Sequence, residues 1–150
     1  MKIKLEFRLG EQSLIQKELA WTEADICTVK LLEAPQGIAA QDIDVLSSAA
    51  AKVNGKEPLK ITECRKQIIG TAFNGVYAVD KAWVEYFAAV PDEKVQELCK
   101  LWCDELKEMF MDDEIKPTDE MCEFIGGIKE RCKIALEQDK LLFQFWSFKK

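Results

Sequence analysis

Charged and apolar residues alternate strictly over residues 2–9, at the start of the chain. The apolar members are Ile3, Leu5, Phe7 and Leu9, and the charged members are Lys2, Lys4, Glu6 and Arg8. This period of two predicts a β-strand with one buried face. The sequence GEQS at 10–13 predicts a turn, and LIQKELAW at 14–21 predicts a second strand. Together they predict an N-terminal β-hairpin.

The next segment fits two structures. Thr22 has the properties of a helix N-cap, with Asp25 in place of the usual Glu of a capping box. Beyond it, ICTVKLL at 26–32 contains β-branched residues and is apolar on all sides, which fits a buried helix or a third strand. We slightly favour a helix here, and Pro35 and Gly37 end the segment in either case.

Two helices are predicted in the middle of the chain before residue 71. The apolar positions of 40–53 have helical spacing, and Asn54-Gly55 provides a stop. A short helix is expected to begin at Pro58, because proline is tolerated in a first turn, and to end at Gly70.

Asn74-Gly75 lies between apolar residues, which is a strong hairpin signal. However, apolar residues recur at helical spacing from Val76 to Val90. We therefore interpret Asn74 as an N-cap and 75–90 as a helix.

Two longer amphipathic helices follow, one over 92–111 and one that begins after Thr118. The first has an apolar face of Val95, Leu98, Cys99, Trp102, Leu106, Met109 and Phe110. The second has an apolar face of Met121, Phe124, Ile125, Ile128, Cys132, Ala135 and Leu136. Gly126-Gly127 interrupts the second helix outside its apolar face, which indicates a bend or a close backbone approach.

The chain ends in LLFQFWSFKK, which predicts a strand that pairs beside the first strand and packs on the helices. An exposed aromatic binding tail is the alternative. The whole pattern predicts one α+β domain over 1–150, a small antiparallel sheet packed on a layer of four or five helices.

Composition narrows the class of protein. The chain is 48% hydrophobic and 32% charged, and it contains no run of about eighteen apolar residues, so we expect a globular protein without a membrane partner. Its first residues do not resemble a signal peptide, and we expect a cytoplasmic protein. The absence of histidine excludes every catalytic triad or dyad that needs an imidazole.

The acidic sequence DDEIKPTDEMCE at 112–123 begins and ends like a calcium-binding EF-hand loop. Lys116 stands where the fifth loop position needs an oxygen ligand, and Pro117 stands where the sixth needs glycine. We therefore expect no calcium site, and we interpret the segment as a connection between helices.

Cysteine-based sites are also disfavoured. The chain has six cysteines but no C-x-x-C pair, and those in apolar faces, such as Cys99 and Cys132, are better explained as core residues. Cys64 beside Arg65 and Lys66 is a candidate nucleophile, but the sequence gives it no base partner. We expect no metal and no cofactor.

Negative charge is concentrated in one region. Residues 92–123 contain twelve acidic and four basic residues, a net charge of −8. The other residues contain fifteen acidic and seventeen basic residues, a net charge of +2, which accounts for the total of −6. Such a face is either an ordinary solvated surface or a docking surface for a basic partner.

The leading functional expectation is a non-catalytic protein-binding protein, such as an inhibitor, an immunity-type protein or an adaptor. Its partner would carry a basic surface and could itself bind nucleic acid, whose phosphates the acidic face would imitate. Direct nucleic-acid binding is not expected, since the basic residues form no patch. The expected contact residues are Glu97, Leu101, Asp104, Glu105, Glu108, Asp112, Asp113 and Glu114.

Two alternatives remain open. One is a small hydrolase or transferase that uses a pair of carboxylates, or a carboxylate with Cys64, in a concave pocket. The other is a scaffolding or assembly subunit whose terminal aromatic segment joins a sheet edge of a partner or a second copy. The residues expected to form such a homo-oligomer contact are Phe143, Phe145, Trp146 and Phe148.

Overall fold

The computed structural model describes residues 2–10, 29–35, 37–57, 59–60 and 64–149, which form an α+β fold. Its elements in chain order are β1 (Lys2–Gly10), β2 (Val29–Glu33), α1 (Ala40–Val53), β3 (Arg65–Gly70), β4 (Asn74–Val79), α2 (Lys81–Ala88), a 3₁₀ turn (Asp92–Lys94), α3 (Val95–Phe110), α4 (Asp119–Gln138) and β5 (Leu141–Lys149). The predicted fold class, an antiparallel sheet packed on helices, is confirmed.

The last strand of the chain lies at the centre of the sheet. The strand order is β2-β1-β5-β4-β3, and all neighbouring strands are antiparallel. β5 pairs with β1 over its full length, from Lys149 opposite Lys2 to Leu141 opposite Gly10. The predictions of a first strand and of a terminal strand beside it are therefore confirmed.

β2 is a strand where a helix was slightly favoured. It runs antiparallel to β1, with Leu32 opposite Phe7. The second edge of β1 supplies hydrogen-bonding partners, so this apolar segment is stabilised as a strand. The helix preference was wrong for residues 29–32. The turn beyond Gly10, the strand predicted at 14–21, the N-cap at Thr22 and residues 26–28 lie outside the described residues.

β3 and β4 form a hairpin where sequence patterns predicted helices. The backbone N–H of Thr71 donates to the carbonyl of Asn74 at 2.7 Å, which closes the connection. The helix predicted to end at Gly70 is a strand over 65–70, and Pro58 and residues 61–63 lie outside the described residues. The helix predicted over 75–90 is also wrong in its first part, because pairing with β5 makes this part a strand.

The actual helix of this region begins after Asp80. The carboxylate of Asp80 accepts a hydrogen bond from the backbone N–H of Ala82 at 2.9 Å, and this cap starts α2. The predicted helices over 40–53, over 92–111 and after Thr118 are confirmed. The hydroxyl of Thr118 accepts from the N–H of Met121 at 3.1 Å, as expected of an N-cap.

The main core lies between one face of the sheet and the four helices. Phe7 from β1 stacks on Trp83 of α2, with ring centres 6.1 Å apart, and lies 5.9 Å from Phe124 of α4. The opposite face of the sheet carries a second, smaller apolar cluster, which includes Val76 and Phe143. The aromatic residues of β5 are therefore divided between two faces.

Gly127 allows α4 to pack closely against β2. A Cβ atom at Gly127 would lie 2.9 Å from Cδ1 of Leu32, whereas one at Gly126 would have no neighbour within 4 Å. The glycine pair was expected to mark either a bend or a close backbone approach. The contact with Leu32 supports the close approach at Gly127. Among the described residues, no helix combines the length and the apolar character needed to cross a membrane.

Candidate protein-binding surface

α3 presents one face to the core and the opposite face to solvent. Its buried residues are Leu98, Cys99, Trp102, Cys103 and Leu106. They recur at intervals of three and four residues and so form one stripe along the helix. The opposite face exposes Glu97, Asp104 and Glu108.

The orientation of α3 is set by a buried tryptophan. Nε1 of Trp102 donates a 2.9 Å hydrogen bond to the backbone carbonyl of Asp42 in α1. The Trp102 side chain is fully buried, and its ring lies 6.4 Å from that of Phe124. This contact fixes the rotation of α3 about its axis, and hence the acidic face points away from the core.

The last turn of α3 ends in three exposed apolar side chains. The exposed fractions are 57% for Met109, 56% for Phe110 and 91% for Met111. Met109 and Phe110 continue the buried stripe of α3 but remain uncovered. They lie in the predicted apolar face, but the core does not cover that face in this last turn.

Met111 has a backbone conformation that is unfavourable for its residue type. Its φ of 52° and ψ of 40° lie in the left-handed region, where glycine is the usual residue. Its N–H donates to the carbonyl of Lys107, and the N–H of Asp112 donates to the same carbonyl at 3.1 Å. The chain thus has a strained and almost fully exposed methionine at a helix end.

The connection from α3 to α4 keeps its acidic side chains in solvent. Oδ1 of Asp112 accepts from the backbone N–H of Glu114 at 3.0 Å, which shapes the turn. Ile115 is half-buried against the core and anchors the connection. Asp113 and Glu114 are exposed.

Six of the eight residues predicted to contact a partner are exposed acidic side chains. They are Glu97, Asp104, Glu108, Asp112, Asp113 and Glu114. We call these six acids together with Met109, Phe110 and Met111 the α3 surface. A shallow depression of about 440 Å³ lies on this surface. It is lined by the acids Asp104, Glu108 and Asp113, by the apolar Met111 and by Lys107.

The other two predicted contact residues have structural partners. Leu101 is half-buried and packs against the core. The carboxylate of Glu105 forms an ion pair with Lys52 of α1, and its side chain is only 17% exposed. Leu101 and Glu105 are therefore less accessible to a partner than the six exposed acids.

Sequence reasoning missed the apolar part of the α3 surface. It placed Met109 and Phe110 in the apolar face of the helix because they extend the helical period, and nothing in that period showed that the core stops short of them. A sequence signal was present for Met111 alone, since three consecutive apolar residues span about 200° of a helix and the third falls outside the stripe that Met109 and Phe110 continue.

Three thiols meet at the contact between α3 and α4. Burial raises the pKa of Cys99, and hydrogen bonds with Cys122 and Cys103 raise it further. Burial also raises the pKa of Cys103, whose Sγ lies 3.8 Å from Sδ of Met121. Within the described part of the chain, no group of three or more Cys, Asp or Glu has an arrangement that could hold a metal ion.

The candidate nucleophile Cys64 and the two buried carboxylates of the described residues lie in different parts of the fold. Cys64 is buried, and Sγ donates to the carbonyl of Lys60 at 3.3 Å. The buried carboxylates Glu6 and Asp42 lie on opposite sides of the sheet, one on the outer face of β1 and one in α1. These two carboxylates therefore do not form a catalytic pair.

Their environments also differ. Burial raises the pKa of Asp42, opposed by a 2.8 Å hydrogen bond from the backbone N–H of Ala39. Burial alone would raise the pKa of Glu6, but hydrogen bonds and charges from Lys4 and Arg8 outweigh it and lower the pKa. Glu6 is therefore a stable anion in a structural ion-pair network.

The terminal aromatic residues occupy a central strand. Both edges of β5 are paired, so β5 cannot extend another sheet without leaving its own. Phe143 is buried, Phe145 and Trp146 are half-buried, and Phe148 is 39% exposed. A homo-oligomer contact through these four residues stays a prediction, with Phe148 as the member most open to a partner.

Compared with known proteins, the chain matches no family model, and no curated protein or solved structure shows a significant similarity to it.

Proposed function

We propose that this chain is a non-catalytic binding protein whose α3 surface docks on a basic protein. The observation that carries the proposal is the coincidence of two unusual features at one end of α3. The excess of negative charge borders the exposed Met111, which shares a depression with Asp104, Glu108 and Asp113, and Met109 and Phe110, which precede Met111, are exposed as well. A solvated acidic face explains the first feature but not the second.

The acids of the α3 surface are free to act on a partner. In the described part of the chain, Glu105 is paired with Lys52, but no ion pair involves Glu97, Asp104 or Glu108. Unneutralised charge of one sign accelerates and orients association with a surface of the opposite sign. The partner therefore has a basic surface, which fits an inhibitor or adaptor and includes nucleic-acid-binding proteins.

The apolar part provides the binding free energy that exposed charges do not. Exposed ion pairs contribute at most about 1 kcal/mol each, whereas a buried aromatic anchor contributes more. Phe110 is the aromatic member, and Met109 and Met111 adapt readily to an irregular partner surface. We therefore expect the basic surface of the partner to contain an apolar pocket.

The strain at Met111 supports the same interpretation. A left-handed methionine costs roughly 1 kcal/mol relative to glycine, and its side chain contributes no packing in the free protein. Residues held in unfavourable conformations concentrate at functional sites. A binding role for the Met111 side chain accounts for its presence at this position.

The test is affinity capture from native lysate at low and high salt, with three variants beside the original chain. The acid variant carries Glu97→Lys, Asp104→Lys and Glu108→Lys. The apolar variant carries Phe110→Ser and Met111→Ser. The matched control carries Glu33→Lys, Glu85→Lys and Glu137→Lys, which change the net charge equally at exposed positions outside the α3 surface.

The proposal predicts one basic protein that is captured by the original chain and by the control. The same protein should be lost with the acid variant and with the apolar variant, and its capture should weaken at high salt. Retention of every captured protein by both α3-surface variants would contradict the proposal.

A further inference from the structure

A small aromatic pocket lies between the helix-facing side of the sheet and the first turn of α1. Its volume is about 160 Å³, and it opens to the surface. It is lined by Ile3, Ala40, Gln41, Tyr77, Trp146 and Phe148. None of these residues belongs to the α3 surface, so the pocket is independent of the proposed docking function.

The Tyr77 wall of the pocket is held in place by a chain of polar contacts. The guanidinium of Arg65 donates to the two carboxylate oxygens of Asp44 at 3.1 and 2.9 Å. The same guanidinium lies over the Tyr77 ring, with Cζ 4.1 Å from the ring centre. Asp44 belongs to α1, so the helix and this aromatic wall are fixed relative to each other.

The Trp146 wall depends on a glycine in the neighbouring strand. A Cβ atom at Gly75 would lie 2.5 Å from Nε1 of Trp146, so the indole can take its position only beside glycine. The ring of Phe148 packs edge-on against Trp146, with the ring centres 5.7 Å apart. The backbone N–H of Phe148 donates to the carbonyl of Phe73 at 2.8 Å, which holds this end of β5.

The open pocket is close in volume to an enclosed cavity that holds one aromatic ring. A dry, apolar cavity of roughly 150 Å³ is known to hold benzene. Aromatic walls also favour a planar ring over an aliphatic one, since ring pairs attract in edge-on and offset arrangements. Ala40 is small and buried at the start of α1, and a larger side chain there would occupy the pocket.

We propose that this pocket binds a small molecule built on one planar aromatic ring, of about the size of phenol. The walls are held by contacts within the protein itself, so the pocket exists before the ligand binds. Binding should therefore need little rearrangement of the chain.

The test uses phenol and cyclohexanol as probes, because they share size and hydroxyl group but only phenol is planar. The full chain carries ¹⁵N-labelled tryptophan, and the indole resonance of Trp146 is identified from its loss in Trp146→Phe. We expect phenol to shift this resonance saturably, with a dissociation constant at or below about 1 mM. Cyclohexanol should bind at least about fivefold more weakly.

The matched variants are Ala40→Leu, which fills the pocket, and Ala82→Leu, which adds the same side chain to the first turn of α2. Ala40→Leu should weaken phenol binding at least about tenfold, and Ala82→Leu should leave it unchanged. Should Ala40→Leu fail to fold, Phe148→Ala removes one wall and should weaken binding at least about fivefold.

Three results would overturn the proposal. They are the absence of saturable phenol binding up to roughly 10 mM, equal binding of cyclohexanol, and phenol binding that neither Ala40→Leu nor Phe148→Ala reduces.

Discussion

Nε1 of Trp102 in α3 donates a hydrogen bond to the backbone carbonyl of Asp42 in α1. The contact joins two residues that are sixty positions apart in the sequence. It also decides which residues of α3 reach solvent, because rotation of the helix would break it. The α3 surface therefore depends on a core residue that does not belong to it.

The first prediction concerns this hydrogen bond. We expect Trp102→Phe to reduce the free energy of unfolding by about 2 kcal/mol, since it removes a buried hydrogen bond and leaves space in the core. Trp146→Phe is the matched control, because Nε1 of Trp146 has no hydrogen-bond partner in the described structure. Urea unfolding measures both variants, and a smaller loss for Trp102→Phe than for Trp146→Phe would contradict the prediction.

The second prediction concerns the glycine pair of α4. Gly126→Ala should raise the free energy of unfolding by about 1 kcal/mol, because alanine favours a helix and the added methyl group meets open space. Gly127→Ala gains the same helical preference but places its Cβ 2.9 Å from Cδ1 of Leu32. We expect Gly127→Ala to be at least about 1 kcal/mol less stable than Gly126→Ala. Equal stability of the two variants in thermal or urea unfolding would show that Leu32 can move away from the added methyl group, and would contradict the need for glycine at position 127.

The third prediction concerns the left-handed end of α3. Met111→Gly should stabilise the protein by about 0.5–1 kcal/mol, since glycine takes a positive φ without steric cost. Met111→Ala removes the same exposed side chain but keeps the Cβ atom, and it should change stability little. A destabilising effect of Met111→Gly in urea unfolding would refute the assigned backbone conformation.

The fourth prediction concerns Glu6, which lies between Lys4 and Arg8. Its carboxylate oxygens are 2.7 Å from Nζ of Lys4 and 2.6 Å from Nη2 of Arg8. These contacts lower the pKa of Glu6 below its ordinary value of 4.5 in the folded state. The stabilisation is therefore present above pH 4.5 and is lost as pH falls through the lower, folded-state pKa.

Comparison of the original chain with Glu6→Gln measures this stabilisation. At pH 7 we expect Glu6→Gln to be less stable by about 1 kcal/mol or more, because two cations lose their anion. The difference should shrink as the pH falls below 4.5. The exposed substitution Glu97→Gln serves as the control at pH 7 and should stay within about 0.5 kcal/mol. A difference that grows on acidification would contradict the assigned ion pairs.

Helices and strands could be predicted from the spacing of apolar residues wherever that spacing fits only a strand or only a helix. β1 alternates over a full strand length, and α3 repeats its apolar face over several turns, so each was identified correctly. The helix assigned over 75–90 failed because the spacing of Val76 and Val79 fits a helix, whereas β4 is buried on both faces and therefore shows no period of two. Pairing of β4 with β5, a contact distant in sequence, decided between helix and strand.

The acidic half of the α3 surface could be predicted from sequence for a different reason. Exposure of Glu97, Asp104 and Glu108 follows directly from the apolar face of the same helix. Exposure of Phe110 does not, because it depends on where neighbouring elements stop covering α3. The ion pair of Glu105 with Lys52 likewise required knowledge of the packing between α1 and α3.

The central claim is that the α3 surface binds a basic partner. It is tested most directly by calorimetric measurement of the dissociation constant of the captured partner, with the original chain, the acid variant and the charge-matched control. We predict that Glu97→Lys, Asp104→Lys and Glu108→Lys together weaken binding by about 100-fold or more, while the control changes it less than about threefold. Equal affinity of the acid variant and the original chain would contradict the claim.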